Sequence, residues 1–131
     1  EASISAVGYR QEAYGTYDDV YTIASGAVEV LPTKSRVFYI NVDTEAAAAS
    51  DDLDRMLPYA NVAFKEGDAA YIKTVSGARN IVVRDVATSG AASNGFQTPG
   101  GTDVTTTSVN NIIHCVYTGL HWTVATAQTT T

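Results

Sequence analysis

The sequence consists of short apolar runs, rich in residues branched at Cβ, that turn residues interrupt every few positions. It contains fifteen Val but only four Leu, together with eight Tyr. Branching at Cβ restricts a side chain against a helical turn but fits a pleated sheet. Closely spaced turn signals between such runs are typical of all-β domains. We therefore expect a mainly β fold, a small β-sandwich or barrel of about seven to nine short strands.

The clearest strand covers residues 36–42, where Phe38 and Ile40 share one face. Three pairs of neighbouring runs are predicted to form hairpins, because a short turn sequence separates the two members of each pair. These pairs lie within residues 20–31, 68–86 and 112–124. Hairpin pairing would place each strand beside the next one along the chain.

One short helix is expected around residues 50–57. Ser50 or Asp51 could accept hydrogen bonds from the free amides of a first helical turn, where the helix dipole also favours negative charge. Met56 and Leu57 follow Leu53 by three and four residues, so the three apolar side chains would share one face of a helix. Such a short helix must pack on the sheet, because it is not stable alone.

The length of 131 residues indicates one domain with one core. Residues 1–19 are mixed and polar, and we interpret them as an N-terminal arm or an edge segment. Residues 20–126 are predicted to form the single β domain, and residues 127–131 a loose polar tail. Within the domain, residues 87–101 are a loop rich in Gly, Ser and Ala without periodicity. A loop of this length is expected to be functional or mobile.

The acidic charge balance restricts the class of partner. The formal net charge is −6 and the pI is near 4.6, whereas phosphate and anionic lipid surfaces bind basic faces. No run approaches the roughly twenty apolar residues of a membrane span. We therefore expect neither nucleic acid nor a membrane as a partner. Cys115 is the single cysteine, so no disulfide can form within the chain, which fits folding in a reducing cytoplasm.

His114, Cys115 and His121 are the residues that a metal site or a thiol mechanism would use. Consecutive strand residues point to opposite faces, so His114 and Cys115 are not expected to share a metal. Zinc also needs three or four ligands. Cys115 lies in an apolar run, where burial suppresses the reactive thiolate. We therefore predict no catalytic residue, no metal, no cofactor and no enzyme activity.

A group of acidic residues offers a second place to look for a metal. It comprises Asp43, Glu45, Asp51, Asp52 and Asp54. Calcium is a candidate because it binds carboxylate oxygens, but the spacing does not match an EF-hand loop. Helix capping explains Asp51 and Asp52 without a metal.

The candidate contact residues are aromatic. Tyr9, Tyr14 and Tyr17 are spread through the polar arm, and tyrosine gives a large contact area at a low entropy cost. The alternative is that these residues belong to a Tyr-rich sheet face. Phe96 stands in the small, polar loop 87–101 and is a candidate contact anchor. Its alternative is to fold back and cap the core.

Several segments resemble, in succession, a β-rich module of tailed-bacteriophage virion proteins that is found in head decoration (cement) proteins and in head or tail fibres. The segments are N-V-D-T-E at 41–45, D-D-L-D at 51–54, G-D at 67–68, YIKTVSGARNIVVRDV at 71–86 and VYTGLHWTV at 116–124. Together with the residues between them they span about two-thirds of the chain. The stretch LPYANVAFKE and the enlarged loop 87–101 depart from the pattern, which leaves the role in the virion open.

The resemblance implies a viral structural protein, made in the host cytoplasm and placed on the capsid surface. It implies that the protein stabilises the shell by bridging major capsid protein subunits, commonly as a trimer, and it carries no catalytic residues. Several weak contacts per subunit act together on a repeated lattice. The alternative that the resemblance leaves is a phage fibre or receptor-binding domain that recognises a host surface.

Overall fold

The computed structural model describes residues 20–32 and 36–128. In these residues the chain forms eleven short strands: β1 (Val20–Thr22), β2 (Ala27–Val30), β3 (Val37–Asp43), β4 (Ser50–Leu53), β5 (Arg55–Pro58), β6 (Ala69–Thr74), β7 (Asn80–Val83), β8 (Phe96–Gln97), β9 (Val104–Thr105), β10 (Ile112–Tyr117) and β11 (Trp122–Gln128). One helical turn, α1, covers Val86–Ser89, and single 3-10 turns cover Glu45–Ala47, Tyr59–Asn61 and Pro99–Gly101. The prediction of a mainly β fold is confirmed, with more and shorter strands than expected.

The strands form three sheets around a common core. The main sheet has six strands in the order β1-β3-β6-β10-β11-β8, a second sheet pairs β2 with β5, and a third has the order β4-β7-β9. Buried apolar residues from all three sheets belong to one cluster. At its centre Trp122 packs against Phe38, Phe64 and Tyr117, with ring centroids 4.9–6.4 Å from that of Trp122. Trp122 itself is fully buried.

The chain passes from one sheet to the next in repeated rounds, and we call each round a circuit. It runs from β3 in the main sheet to β4 in the three-stranded sheet, then to β5 in the two-stranded sheet, and returns to the main sheet as β6. Strands from successive circuits pair in parallel: β1 with β3, β3 with β6, β2 with β5 and β4 with β7. Each circuit is therefore stacked on the previous one, which is the arrangement of a short β-solenoid.

A hairpin follows the circuits in the main sheet. β10 pairs antiparallel with both β6 and β11, and Tyr117 lies opposite Trp122 beside the turn. The predicted hairpin within residues 112–124 is confirmed. β11 continues to Gln128, so it extends into the segment predicted as a loose tail.

The other two predicted hairpins are wrong. β1 pairs with β3 and β2 with β5, although a tight turn at Ser25 and Gly26 separates β1 from β2. Likewise β6 lies in the main sheet and β7 in the three-stranded sheet. Alternating apolar residues predict a strand with one buried face, but they do not identify its neighbour. In this chain the neighbour belongs to the next circuit.

The helix predicted around residues 50–57 is also wrong, because this segment forms β4 and β5. The chain turns at Asp54 from one sheet to the next. Leu53 and Met56 are both fully buried, but each is contributed by a different sheet. Their spacing of three residues therefore reflects a corner between two strands and not a helical face.

Candidate functional site

The predicted contact residues fall into two groups. Tyr9, Tyr14 and Tyr17 lie outside the described residues, as does the whole arm 1–19. Phe96 lies in β8, where it is fully buried and pairs in register with Trp122. The prediction of Phe96 as a contact anchor is wrong, because its side chain has no exposed surface. It belongs to the core, as the alternative interpretation held.

Asp85 anchors the loop that carries Phe96. Its carboxylate accepts hydrogen bonds from the backbone N–H of Thr98 at 2.8 Å, the Thr98 hydroxyl at 3.2 Å and the backbone N–H of Ala87 at 2.9 Å. The backbone N–H groups of Thr98 and Ala87 lower the pKa of Asp85, because they favour the ionised form, while burial opposes them. Both ends of the loop are thus fixed to one buried carboxylate.

His121 also has a structural role in this loop. Its Nδ1 accepts a hydrogen bond from the backbone N–H of Gly95 at 3.1 Å, and the side chain is buried. A Cβ atom on Gly95 would lie only 2.8 Å from both Ala91 Cβ and Val86 Cγ1. Glycine is needed at position 95 because the loop packs closely there.

Cys115 and His114 point to opposite faces of β10, as predicted. Cys115 is fully buried, and burial raises the pKa of its thiol. His114 lies on the other face, where its ring stacks on Tyr71 with centroids 4.5 Å apart. This arrangement does not pair the thiol with an imidazole base. In the described part of the chain no group of three or more His, Cys, Asp or Glu side chains could hold a metal ion.

Three arginine–aspartate pairs occupy the corners of the circuits, and we call them the corner clasps. Arg36 binds Asp68 at 2.6 Å, Asp43 binds Arg79 at 2.8 Å, and Asp54 binds Arg84 at 2.7 Å. In each clasp the two partners belong to successive circuits. Two clasps join the flanks of paired parallel strands, and the third joins the end of β3 to the start of β7. Each ion pair therefore joins one turn of the chain to the next.

The corner clasps and a backbone hydrogen bond account for three of the five acidic residues at which a metal was considered. Asp43 and Asp54 are paired with arginines, and Asp51 accepts a hydrogen bond from the backbone N–H of Glu45 at 2.7 Å. The prediction that Asp51 and Asp52 cap a helix is wrong, because they lie in β4. The sequence showed the acidic residues but not their arginine partners, which lie thirty or more residues away.

A row of rings crosses the outer face of the main sheet. Tyr39 stacks on Tyr71 with centroids 5.4 Å apart, and Tyr71 stacks on His114. The three residues are in register on β3, β6 and β10 and are half-buried. Because the rings stack on one another, both faces of Tyr71 are covered. The row stabilises the sheet through cross-strand ring pairs.

A groove of about 520 Å³ lies beside β1, β2 and β5. Val20, Ser25, Glu29, Arg55, Leu57 and Tyr59 contribute to its lining. Glu29 and Arg55 are exposed and lie on the outer face of the two-stranded sheet, where Glu29 is paired in register with Leu57. The groove therefore combines a carboxylate, a guanidinium and apolar surface.

Exposed apolar side chains gather around this groove. Val20 is 51% exposed, Tyr59 53% and Leu31 52%. Leu31 and Tyr59 directly follow Val30 and Pro58, which are in register at the ends of β2 and β5. We call the surface formed by Val20, Glu29, Leu31, Arg55, Leu57 and Tyr59 the groove patch. Exposed apolar surface edged by charges is typical of a protein contact site.

No protein-family model, no curated protein and no solved structure matches this chain. In the described residues no helix is both long and apolar enough to cross a membrane. The function therefore has to be inferred from the residues of the chain itself, chiefly the corner clasps and the groove patch.

Proposed function

We propose that this protein decorates and stabilises the capsid of a tailed bacteriophage by bridging major capsid protein subunits. The observation that carries the proposal is the position of the corner clasps. The segments that resemble virion modules supply five of the six clasp residues: Asp43, Asp54, Asp68, Arg79 and Arg84. The segments that carry the resemblance therefore include most of the residues that hold the circuits together.

The distribution of polar groups agrees with a structural role. His121 and Asp85 are tied to backbone groups, Cys115 is buried, and three of the described arginines are held in ion pairs. These groups keep the domain rigid, which suits a protein that must present several contacts to a lattice at once. Rigid presentation keeps the ordering cost of binding low.

The N-terminal arm is the proposed attachment element. Residues 1–19 join the domain at Val20, which lines the groove. Tyr9, Tyr14 and Tyr17 would contact the capsid or a sister subunit, in a homotrimer at a local threefold axis. The protein would be made in the host cytoplasm and reside on the capsid surface.

Deletion of residues 1–14 tests the attachment element. The truncated and full-length proteins are mixed with capsids that lack the protein, and the bound fraction is measured by cosedimentation. We expect the truncated protein to keep its unfolding midpoint and to lose binding. A matched chain with Tyr9 and Tyr14 replaced by Ala keeps the arm's length and separates loss of tyrosines from loss of chain. Unchanged binding of the truncated protein would refute the role of the arm.

The second candidate is a fibre or receptor-binding domain, and the ring row on the main sheet favours it. Aromatic rings on a sheet face can support glycan binding, although stacking covers both faces of Tyr71. A glycan array with wild-type and Tyr71→Ala protein tests this. Specific binding that Tyr71→Ala abolishes would support the fibre role, and antibody labelling confined to the tail would do so as well. Uniform labelling of the head, without glycan binding, supports decoration.

A further inference from the structure

Arg55 differs from the other arginines of the described chain. Arg36, Arg79 and Arg84 each bind an aspartate in a corner clasp. Arg55 is exposed in the groove patch, and no ion pair involving it is formed within the described residues. An arginine beside apolar surface is common in protein contacts, because its planar guanidinium can bind a carboxylate in two places.

Glu29 is the matching anion on the neighbouring strand. Ala27 is in register with Arg55 and Glu29 with Leu57, so Glu29 and Arg55 are diagonal neighbours on one face. No ion pair joins them, and Glu29 has no ion-pair partner among the described residues. The patch thus presents one positive and one negative group side by side, and neither forms an ion pair with another described residue.

Apolar surface lies next to this charge pair. Val20, Leu31 and Tyr59 are three of the six large apolar side chains that are exposed in the described residues; the other three are Val62, Val109 and Leu120. Burying such side chains provides the free energy of association, while the charges set the orientation of the partners.

We propose that the groove patch is a twofold interface between two copies of this chain. In a twofold contact, residue i of one copy meets residue j of the other, and j meets i. A patch that carries one cation and one anion as neighbours is complementary to itself under this symmetry. Glu29 of each copy pairs with Arg55 of the other, and Tyr59, Leu31 and Val20 pack between the two copies.

This contact does not depend on the virion assignment. A threefold ring uses two different surfaces on each subunit, whereas the groove patch serves both sides of a twofold contact. We therefore expect the dimer in the free protein, and the trimer of the capsid proposal only on the shell, where it would use other surfaces. A failure of capsid binding leaves this inference intact, and a failure of dimerisation leaves the capsid proposal intact.

The experiment is sedimentation equilibrium of the full chain over a range of concentrations. We expect a mass of about twice 13.8 kDa. Arg55→Glu and Glu29→Arg each place like charges opposite one another at both symmetric positions, so each variant alone should dissociate roughly tenfold more easily, or more. Lys65→Glu is the control: it makes the same charge change as Arg55→Glu at an exposed position outside the patch, and it should leave the dimer unchanged.

Mixing the variants gives the decisive measurement. The Arg55→Glu copy carries two carboxylates in the patch and the Glu29→Arg copy carries two cations, so an equal mixture should form heterodimers at least as readily as wild type. The double variant Glu29→Arg, Arg55→Glu should dimerise like wild type. The proposal would be overturned if the wild-type protein were monomeric or trimeric, or if Arg55→Glu did not weaken the dimer. It would also be overturned if the mixture of the two variants stayed monomeric.

Discussion

Arg36 Nη2 lies 2.6 Å from Asp68 Oδ2, and Arg36 Nε lies 2.8 Å from Asp68 Oδ1. The pair is bidentate, and the same carboxylate also accepts a hydrogen bond from the backbone N–H of Lys65 at 2.8 Å. Asp68 is only 2% exposed, so these donors take the place of water around its carboxylate. Because Arg36 precedes β3 and Asp68 precedes β6, the pair holds together the starts of two parallel strands in the main sheet.

Arg36→Ala is expected to reduce the free energy of unfolding by about 3–5 kcal/mol, because it leaves a buried carboxylate without its cation. Arg79→Ala is the matched control, since the Asp43–Arg79 clasp is more exposed, and it should cost about 1 kcal/mol or less. Urea unfolding followed by tryptophan fluorescence measures both values, with Trp122 as the probe. Equal losses in the two variants would show that burial does not set the strength of these clasps.

Asp85 should make the stability depend on pH. Hydrogen bonds from Thr98 and Ala87 hold its pKa in the folded chain below that in the unfolded chain. Its contribution is therefore fully present above the unfolded pKa, at about pH 4, and is lost as the pH falls through the folded pKa. At neutral pH Asp85→Asn should cost about 1–3 kcal/mol.

The difference between wild type and Asp85→Asn should shrink as the pH falls below about 4, because both side chains are then neutral. Unfolding measured from pH 7 to pH 2 gives this difference directly. Asp52→Asn is the control, since Asp52 is half-exposed and lies 3.6 Å from Arg84; it should change the stability by less than about 0.5 kcal/mol at any pH. A difference between wild type and Asp85→Asn that stayed constant over the whole range would contradict the assigned role.

Several strands were predictable from the sequence, but β4, β5 and β8 were not, and of the predicted pairings only that of β10 with β11 is confirmed. In residues 36–42 Phe38 and Ile40 were expected to share one face, and β3 buries this face while the other is half-buried. A solenoid and a series of hairpins require the same alternation in each strand, so the pattern does not separate them. The corner at Asp54 resembled a helix for a related reason, since Leu53 and Met56 have helical spacing although they point into one core from two sheets.

The groove patch could not be found from the sequence because no local signal brings its members together. Glu29 and Arg55 become neighbours only through the parallel register of β2 and β5. Phe96 shows the opposite problem: its loop has no periodicity, so its burial depends on the pairing of β8 with β11 and on the anchoring by Asp85. Of the corner clasps, the sequence analysis identified acidic members but not the arginines that pair with them.

The thiol of Cys115 should be inert in the folded chain. Burial raises the pKa of the thiol and excludes reagents, and only the thiolate reacts. Labelling with a disulfide reagent should therefore be slow in buffer and should accelerate with urea in step with global unfolding. Leu120→Cys adds an exposed thiol that should react completely under native conditions. Rapid native labelling of Cys115 would reopen the possibility of thiol chemistry.

Phe96→Ala separates a core residue from a contact residue. The side chain is fully buried beside Trp122, so its removal should cost about 3–5 kcal/mol. Val109→Ala is the control, because Val109 is exposed and should change the stability by less than about 0.5 kcal/mol. Thermal and urea unfolding of both variants give the comparison. If Phe96→Ala kept the wild-type stability and lost only particle binding, Phe96 would be a contact anchor after all, and β8 would have to leave the main sheet when the protein binds.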